Sequence, residues 1–281
     1  MQVIQTYVTR CNGDDLVIAP LGDIQYTGRE EHIAGRRLDA HIDRCLDLGA
    51  YFVGTGDYID FASPSNRRKL KAADLYDTAT IVFQDAARRL TEELYTRHLN
   101  KTTERWLGLV EGHHYSSVGP GLTTDEYLAE KLHCPFLGTS ALIRVSVADQ
   151  KGRHGLIRLW VHHGEGTGDP LARLAKIAAN FRADYYIMGH TTQRGVKPVS
   201  YIYDTMANGW YPSLADRTYW LVATGGWLKA YAEDSQVEGK YEGDYAEKAM
   251  YTPSSHGSPL LTIKCQWTKN RVWVPEFRAE A

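Results

Sequence analysis

Residues 50–60 read AYFVGTGDYID, an apolar run of strand length that stops at small residues and hands over to an aspartate. Apolar residues on consecutive positions, rather than alternating ones, suit a strand covered on both faces. Four other stretches end in the same manner. LVIAPLGD stops at Asp23, WLGLVEGHH at His113 and His114, LIRLWVHHG at His162 and His163, and ADYYIMGH at His190.

Helical spacing fills the gaps between these runs. Glu30 to Leu48 puts Leu38, Ile42, Cys45 and Leu46 on one face, with Gly49 as a stop signal. A segment from about Asn66 to Leu99 carries Leu75, Ala79, Val82, Ala86, Leu90 and Leu94 at helical intervals, and a third helix runs from Thr124 to about Leu132. A fourth has Asp169 as its N-cap and Pro170 at its first position, followed by Leu171, Leu174, Ala178 and Phe181 on one face. After His190 the pattern changes to β-rich hairpins, such as VSYIYDT and TYWLVAT, then LLTIKCQW joined to RVWVPEF. The fold class is therefore α/β. A polar, Gly- and Tyr-rich stretch at about 228–258 reads as a C-terminal loop or lid insertion. With no repeat or low-complexity linker, one domain over 1–281 is expected, with the motif-bearing core at about 16–192 and a β-rich remainder at 193–281.

Composition narrows the class of protein. Of 281 residues, 43% are apolar and 23% charged, which excludes disorder and leaves enough apolar surface for a sizeable core. Lys and Arg total 32 against 34 Asp and Glu, a net charge of −2, so no global positive field draws in duplex nucleic acid or anionic lipid. A phosphate partner has to be met locally. The first residues, MQVIQTYVTRCNGDD, lack a signal-peptide apolar stretch, and no run is long enough to span a bilayer, so a cytoplasmic protein without a membrane partner is expected. Cys11, Cys45, Cys134 and Cys265 are scattered without a C-x-x-C pair and read as reduced thiols.

In open α/β sheets, residues just past the carboxyl ends of the strands converge on one crevice. Here five such ends deliver Asp, Asp, His-His, His-His and His. Singly, each would pass as a turn aspartate or a hydrogen-bonded structural histidine. Together, in a chain with only 11 His, they form a donor set for one or two divalent ions, because Asp can bridge metals while imidazole supplies neutral nitrogen.

The order GDIQ, GDYID, GHHY, HHG, GHTT resembles the five motifs of the calcineurin-like metallophosphoesterases, written D-x-H, GD-x-x-D, GNH-[DE], H and GH-x-H. The match spans Asp23 to Thr192, and GDYID is its most specific element. The resemblance implies a two-sheet β-sandwich flanked by helices, an αββα four-layer arrangement. It also implies that Asp23, Gln25, Asp57, His113, His163 and His190 ligate metal, with Asp57 bridging. His162 replaces His163 if the strand register is shifted by one. By the same resemblance His114 is the catalytic histidine and Asp60 the carboxylate that orients it. A metal-bound hydroxide then attacks phosphorus while His114, as general acid, protonates the leaving alkoxide.

Two departures fall on the first metal position: Gln25 replaces the His of D-x-H, and Thr192 replaces the second His of GH-x-H. Fewer imidazoles favour Mn²⁺ or Mg²⁺ over Zn²⁺, Ni²⁺ or Fe, with two ions expected in all. Phe61 stands where Ser/Thr phosphatases of the family carry a phosphate-binding Arg, so a phosphodiester, including a nucleotide or nucleic acid, is favoured over a phosphoprotein. Arg67, Arg194 and Tyr115 are the candidate substrate contacts, with a solvated helical face as the plain alternative for the basic run around Arg67. The expected function is a metal-dependent phosphoesterase. The alternatives are a DNA nuclease or nuclease subunit of the same fold, and a catalytically silent binding or scaffold protein.

Overall fold

In the computed structural model, all residues are described except 63, 74–75, 208–210, 232, 234–235, 238–239, 242–244, 249, 251, 254 and 271. The strands in chain order are β1 (Gln2–Thr9), β2 (Asp15–Leu21), β3 (Tyr51–Gly54), β4 (Trp106–Leu109), β5 (Ser117–Gly119), β6 (Leu122–Thr123), β7 (Ser140–Ala148), β8 (His154–His162), β9 (Tyr185–Met188), β10 (Gly195–Ala207), β11 (Tyr211–Ala223), β12 (Gln236–Val237), β13 (Lys240–Tyr241), β14 (Leu260–Lys264) and β15 (Glu276–Glu280). The helices are α1 (Gly35–Asp47), α2 (Pro64–Ala72), α3 (Asp77–Leu94), α4 (Thr124–Lys131), α5 (Pro170–Ala178) and the single turn α6 (Tyr245–Lys248). The fold is mixed α/β with two large sheets.

One sheet has the order β15-β14-β2-β3-β4 and the other β1-β7-β8-β9-β11-β10. In the first, β2, β3 and β4 run parallel, so Asp23, Asp57 and the His113-His114 pair all emerge at the same end. In the second, β8 and β9 are parallel and bring His163 and His190 out side by side. A hairpin of β7 and β8, pairing Ala141 with Val161 and Val145 with Ile157, feeds the second of these exits.

Three apolar clusters hold most of the buried side chains. Ile18, Val53, Leu107, Ile263 and Leu261 of the five-stranded sheet meet Ile143, Val145, Ile157, Leu159 and Ile187 of the six-stranded one. On the other side of β2 and β3, Ala19, Leu21 and Phe52 pack with Leu38, Ile42 and Cys45 of α1 and Leu94 of α3. Leu174 of α5 packs on Trp160, Tyr186 and Leu221. Burying aliphatic side chains of this kind contributes about 1.5–3 kcal/mol each, which is why runs such as LVIAPL tolerate no interior charge.

Helix signals behave as chemistry dictates. The Asp169 carboxylate accepts the Leu171 N–H and Pro170 opens α5, while Gly49, at φ +63°, follows α1 in the left-handed conformation. The expected 66–99 helix is divided into α2 and α3, followed by a π-helical turn at Tyr95–Leu99, and Leu75 lies outside the described residues. Val82 is exposed and the buried face of α3 runs through Ala87, Thr91 and Leu94, so the first half of α3 stands off the core. Phe181 falls beyond the end of α5 and is exposed. The β1 strand, absent from the sequence expectation, pairs in parallel with β7. The last strand, β15, begins at Glu276, whereas RVWVPEF places it at 271–277.

Within 228–258 the structure describes β12 paired with β13, the turn α6, a buried Leu228 and Ala230, and an exposed Tyr231; Tyr251 lies outside the described residues. The four cysteines are free thiols. No helix among the described residues is long and apolar enough to cross a membrane.

Candidate metal centre

The five strand exits meet in one acidic and imidazole-rich cluster. Asp23, Asp57 and His163 are buried to within 2% of complete exclusion from solvent. Two groups of ligand atoms, each gathered within 4.8 Å, are able to hold a metal ion: His113 with His163 and His190, and Asp23 with Asp57 and His163. His163 belongs to both.

Backbone conformation aims these groups. Asp23, Asp57 and His190 adopt left-handed φ values of 49°, 54° and 71°, and Gln25 and Thr192 do the same at 51° and 52°. An L-residue held there costs on the order of 1–3 kcal/mol, and such strain concentrates at functional sites. The glycines beside them permit close approach. A Cβ on Gly112 would lie 2.0 Å from the Asp57 nitrogen, and one on Gly189 would lie 2.5 Å from Asp23 Oδ2.

Hydrogen bonds then fix the carboxylates and rings. Asp57 Oδ1 accepts the N–H of His113 and, at 3.0 Å, that of His114. Both oxygens of Asp23 accept the His190 N–H, at 3.1 and 2.9 Å. His163 donates Nδ1–H to the Thr55 carbonyl at 2.7 Å, which turns Nε2 toward Asp57 Oδ2 at 3.2 Å and His190 Nδ1 at 3.3 Å. The rings of His113, His163 and His190 stand edge to face, with centroids 4.7–5.1 Å apart.

The charge balance follows from this geometry. Burial alone lowers His163, but Asp57 and Asp23 beside it raise it to about 9. Burial pushes Asp23 up to about 7 against the pull of His163. Asp57 also pays for burial, yet His163, His114 and the two N–H donors hold its carboxyl well below the usual carboxylate range. Burial and the neighbouring His163 lower His190 to about 4, and the same two causes lower His113. A lone pair on His163 Nε2 would face the Asp57 carboxylate, so that position requires a proton or a metal cation. The donor set of buried carboxylates and neutral imidazoles, with the second nitrogen of His163 held by a carbonyl, fits a divalent metal.

At the rim, Asp60 Oδ1 lies 2.7 Å from His114 Nδ1, and His114 Nε2 lies 4.0 Å from Asp57 Oδ2. Burial works against the His114 imidazolium, but the Asp60 hydrogen bond and the Asp57 charge raise its pKa.

Gln25 is buried and donates its N–H to the Asp57 carbonyl at 2.9 Å. His162 turns away from the cluster, accepting the Gly164 N–H and stacking on Trp160. Arg67 Nη1 donates to the carbonyls of Ala62, His113 and Tyr115, at 2.7, 2.5 and 2.8 Å, and its guanidinium lies 3.9 Å over the Tyr115 ring. It ties the segment after Asp60 to the His113–Tyr115 loop. Arg194 is exposed, with its guanidinium against Gly257, and no hydrogen bond or ion pair among the described residues joins it to the cluster.

Asp125, outside the sequence motifs, joins the site from α4. It is buried in the first turn of α4, and its Oδ2 accepts the Gly112 N–H at 2.9 Å beneath His113. Burial, opposed by that hydrogen bond, raises it to about 7. Its sequence setting, Thr-Thr-Asp-Glu, signals only a helix N-terminus.

Neither a protein-family model nor a curated protein matches the chain. Among solved structures, a Vps29 double mutant from Entamoeba histolytica is similar at 12% identity and a TM-score of 0.35, over 95% of this chain and 100% of that one. Vps29 from Chaetomium thermophilum is similar at 12% identity and a TM-score of 0.35, over 94% of this chain and 95% of that one. A likeness of this degree carries no argument about function.

Proposed function

We propose that this chain is a metal-dependent phosphoesterase of the calcineurin-like metallophosphoesterase class, with phosphodiesters favoured over phosphoproteins. The observation that carries the reading is the arrangement at His163: Nδ1 occupied by a carbonyl, and Nε2 directed between Asp57 Oδ2 and His190 Nδ1. The three apolar clusters, one between the sheets and one on the far side of each, support the four-layer sandwich that goes with this class.

Asp23, Asp57, His113, His163 and His190 would hold the metal, with Gln25 at the edge of the set. Divalent ions bound there, Mn²⁺ or Mg²⁺ by preference, supply Lewis acidity that acidifies a water and offsets phosphoryl charge. The chain supplies the rest. Asp60 holds His114 Nδ1, fixing the ring and stabilising its protonated form. Its Nε2, on the side of Asp57, is positioned to give a proton to the departing ester oxygen. Arg67 acts on the loop that carries His113 and His114 rather than as a free phosphate contact.

The test is hydrolysis of bis-p-nitrophenyl phosphate beside p-nitrophenyl phosphate by chelator-stripped protein, with Mn²⁺ restored and His114→Ala in parallel. Manganese-dependent turnover that the variant loses is the expected result, faster on the diester. Absence of turnover above the variant with Mn²⁺, Mg²⁺, Zn²⁺ or Ni²⁺ would sink the proposal and leave the silent binding protein that Gln25 and Thr192 permit.

A further inference from the structure

The outer face of the six-stranded sheet carries a second constellation, at the opposite end of β9 from His190. From Asp184 to His190 the chain advances roughly 20 Å at about 3.3 Å per residue. Register sets Arg144 directly opposite Arg158 on the antiparallel β7–β8 pair. Like charges so placed destabilise a sheet unless something negative lies over them. Arg217 on β11 ion-pairs with Asp184, a buried carboxylate that also accepts the Arg158 N–H at 2.8 Å. That pair neutralises one guanidinium. Arg158 and Arg182 have no hydrogen-bonded or ion-paired acceptor for theirs among the described residues.

Arg158, Arg182 and Arg217 line a cavity of about 590 Å³ together with Tyr186, Tyr201 and Tyr219. The tyrosines form a chain, with Tyr186 and Tyr219 centroids 5.3 Å apart and Tyr201 and Tyr219 6.0 Å apart. Cross-strand pairing of Tyr201 with Arg217 puts ring and guanidinium side by side. The volume falls within the range that accepts a small-molecule ligand. Guanidinium forks match phosphate oxygens, and tyrosine faces pack planar rings.

We propose that this cavity is a second ligand site, separate from the metal centre, that binds a nucleoside phosphate. Arg158 and Arg182 hold the phosphate, and the half-buried Tyr201 and Tyr219 hold the base, with the buried Tyr186 behind them. The class follows from combining uncompensated cations with aromatic faces: an inorganic anion would use only the first and an uncharged ring only the second. In a chain of net charge −2 the positive field is local to this face.

The test is equilibrium dialysis of ADP against the full chain in EDTA, with inorganic phosphate and adenosine as competitors. Saturable binding of ADP is expected, weakened at least about tenfold in Arg158→Gln and in Arg182→Gln, as for loss of a charge-assisted hydrogen bond. Phosphate and adenosine should each compete at least about tenfold less well than ADP, and His163→Ala should bind ADP as the unaltered chain does. Arg182 is on the exposed turn after α5, so its variant remains informative if Arg158→Gln fails to fold by circular dichroism. Any of four results overturns the proposal: no saturable binding at millimolar ADP, undiminished binding in Arg182→Gln, phosphate competing as well as ADP, or loss of binding in a His163→Ala chain that keeps its fold by circular dichroism.

Discussion

His163 Nε2 lies 3.2 Å from Asp57 Oδ2 while the opposite ring nitrogen is held by the Thr55 carbonyl. In metal-free protein a proton occupies the Nε2 position up to about pH 9, stabilised by Asp57 against the cost of burial. A metal ion has to displace it. Uptake of Mn²⁺ should therefore release a proton, and affinity should rise with pH until about 9. Calorimetry in buffers of different ionisation enthalpy checks the release. At a hundredfold excess over Kd, Mn²⁺ should stabilise the fold by about 2.7 kcal/mol, and His163→Ala should abolish the shift in Tm.

Asp60 and His114 form one unit through their 2.7 Å contact. His114→Ala should lower kcat by about 10²–10⁴ through loss of the proton donor. Asp60 raises the His114 pKa, so the alkaline limb of the rate profile lies above the ordinary histidine value. Asp60→Asn should move that limb to lower pH and leave metal binding intact. A limb that stays in place would remove His114 as the titrating acid.

Arg67 joins three carbonyls across two loops with one nitrogen. Arg67→Gln should lower kcat with little change in KM, because it loosens the loop under His114 rather than the grip on substrate. Arg67→Lys should restore part of the loss, since an ammonium still reaches carbonyls but cannot lie flat over Tyr115. A rise in KM at unchanged kcat would make Arg67 a phosphate contact instead.

Asp125 is buried and titrates at about 7 in the folded chain, far above its value when unfolded. The folded state then holds its proton more tightly, so the stability tied to this group is complete below about pH 4 and is lost as pH rises through about 7. Asp125→Asn keeps an acceptor for the Gly112 N–H and removes the titration. Measured in EDTA, the Tm of the variant relative to the unaltered chain should climb by at least ~2 °C between pH 4 and pH 8.

The run AYFVGTGDYID and its four counterparts made the strand exits and their ionisable residues legible, because short apolar runs bounded by glycine suit covered strands and a Gly-Asp or Gly-His ending suits departure from the sheet. Helices α1, α4 and α5 were legible through periodicity and caps such as Asp169-Pro170. β1 was not, since an edge strand exposing Val3 and Tyr7 lacks a clean apolar pattern. Nor could local sequence choose between His162 and His163. Strand alternation presents one inward and one outward, and only packing against the Thr55 carbonyl selects which. Arg67 read as a basic residue near a phosphate site, and the His113 and Tyr115 carbonyls claimed it. Asp125 read as a helix start, yet it supports the loop beneath His113. Residue order settles which chemical groups leave which strands. Their orientation, partners and protonation come from the fold, because those depend on distances and burial between residues more than 40 positions apart.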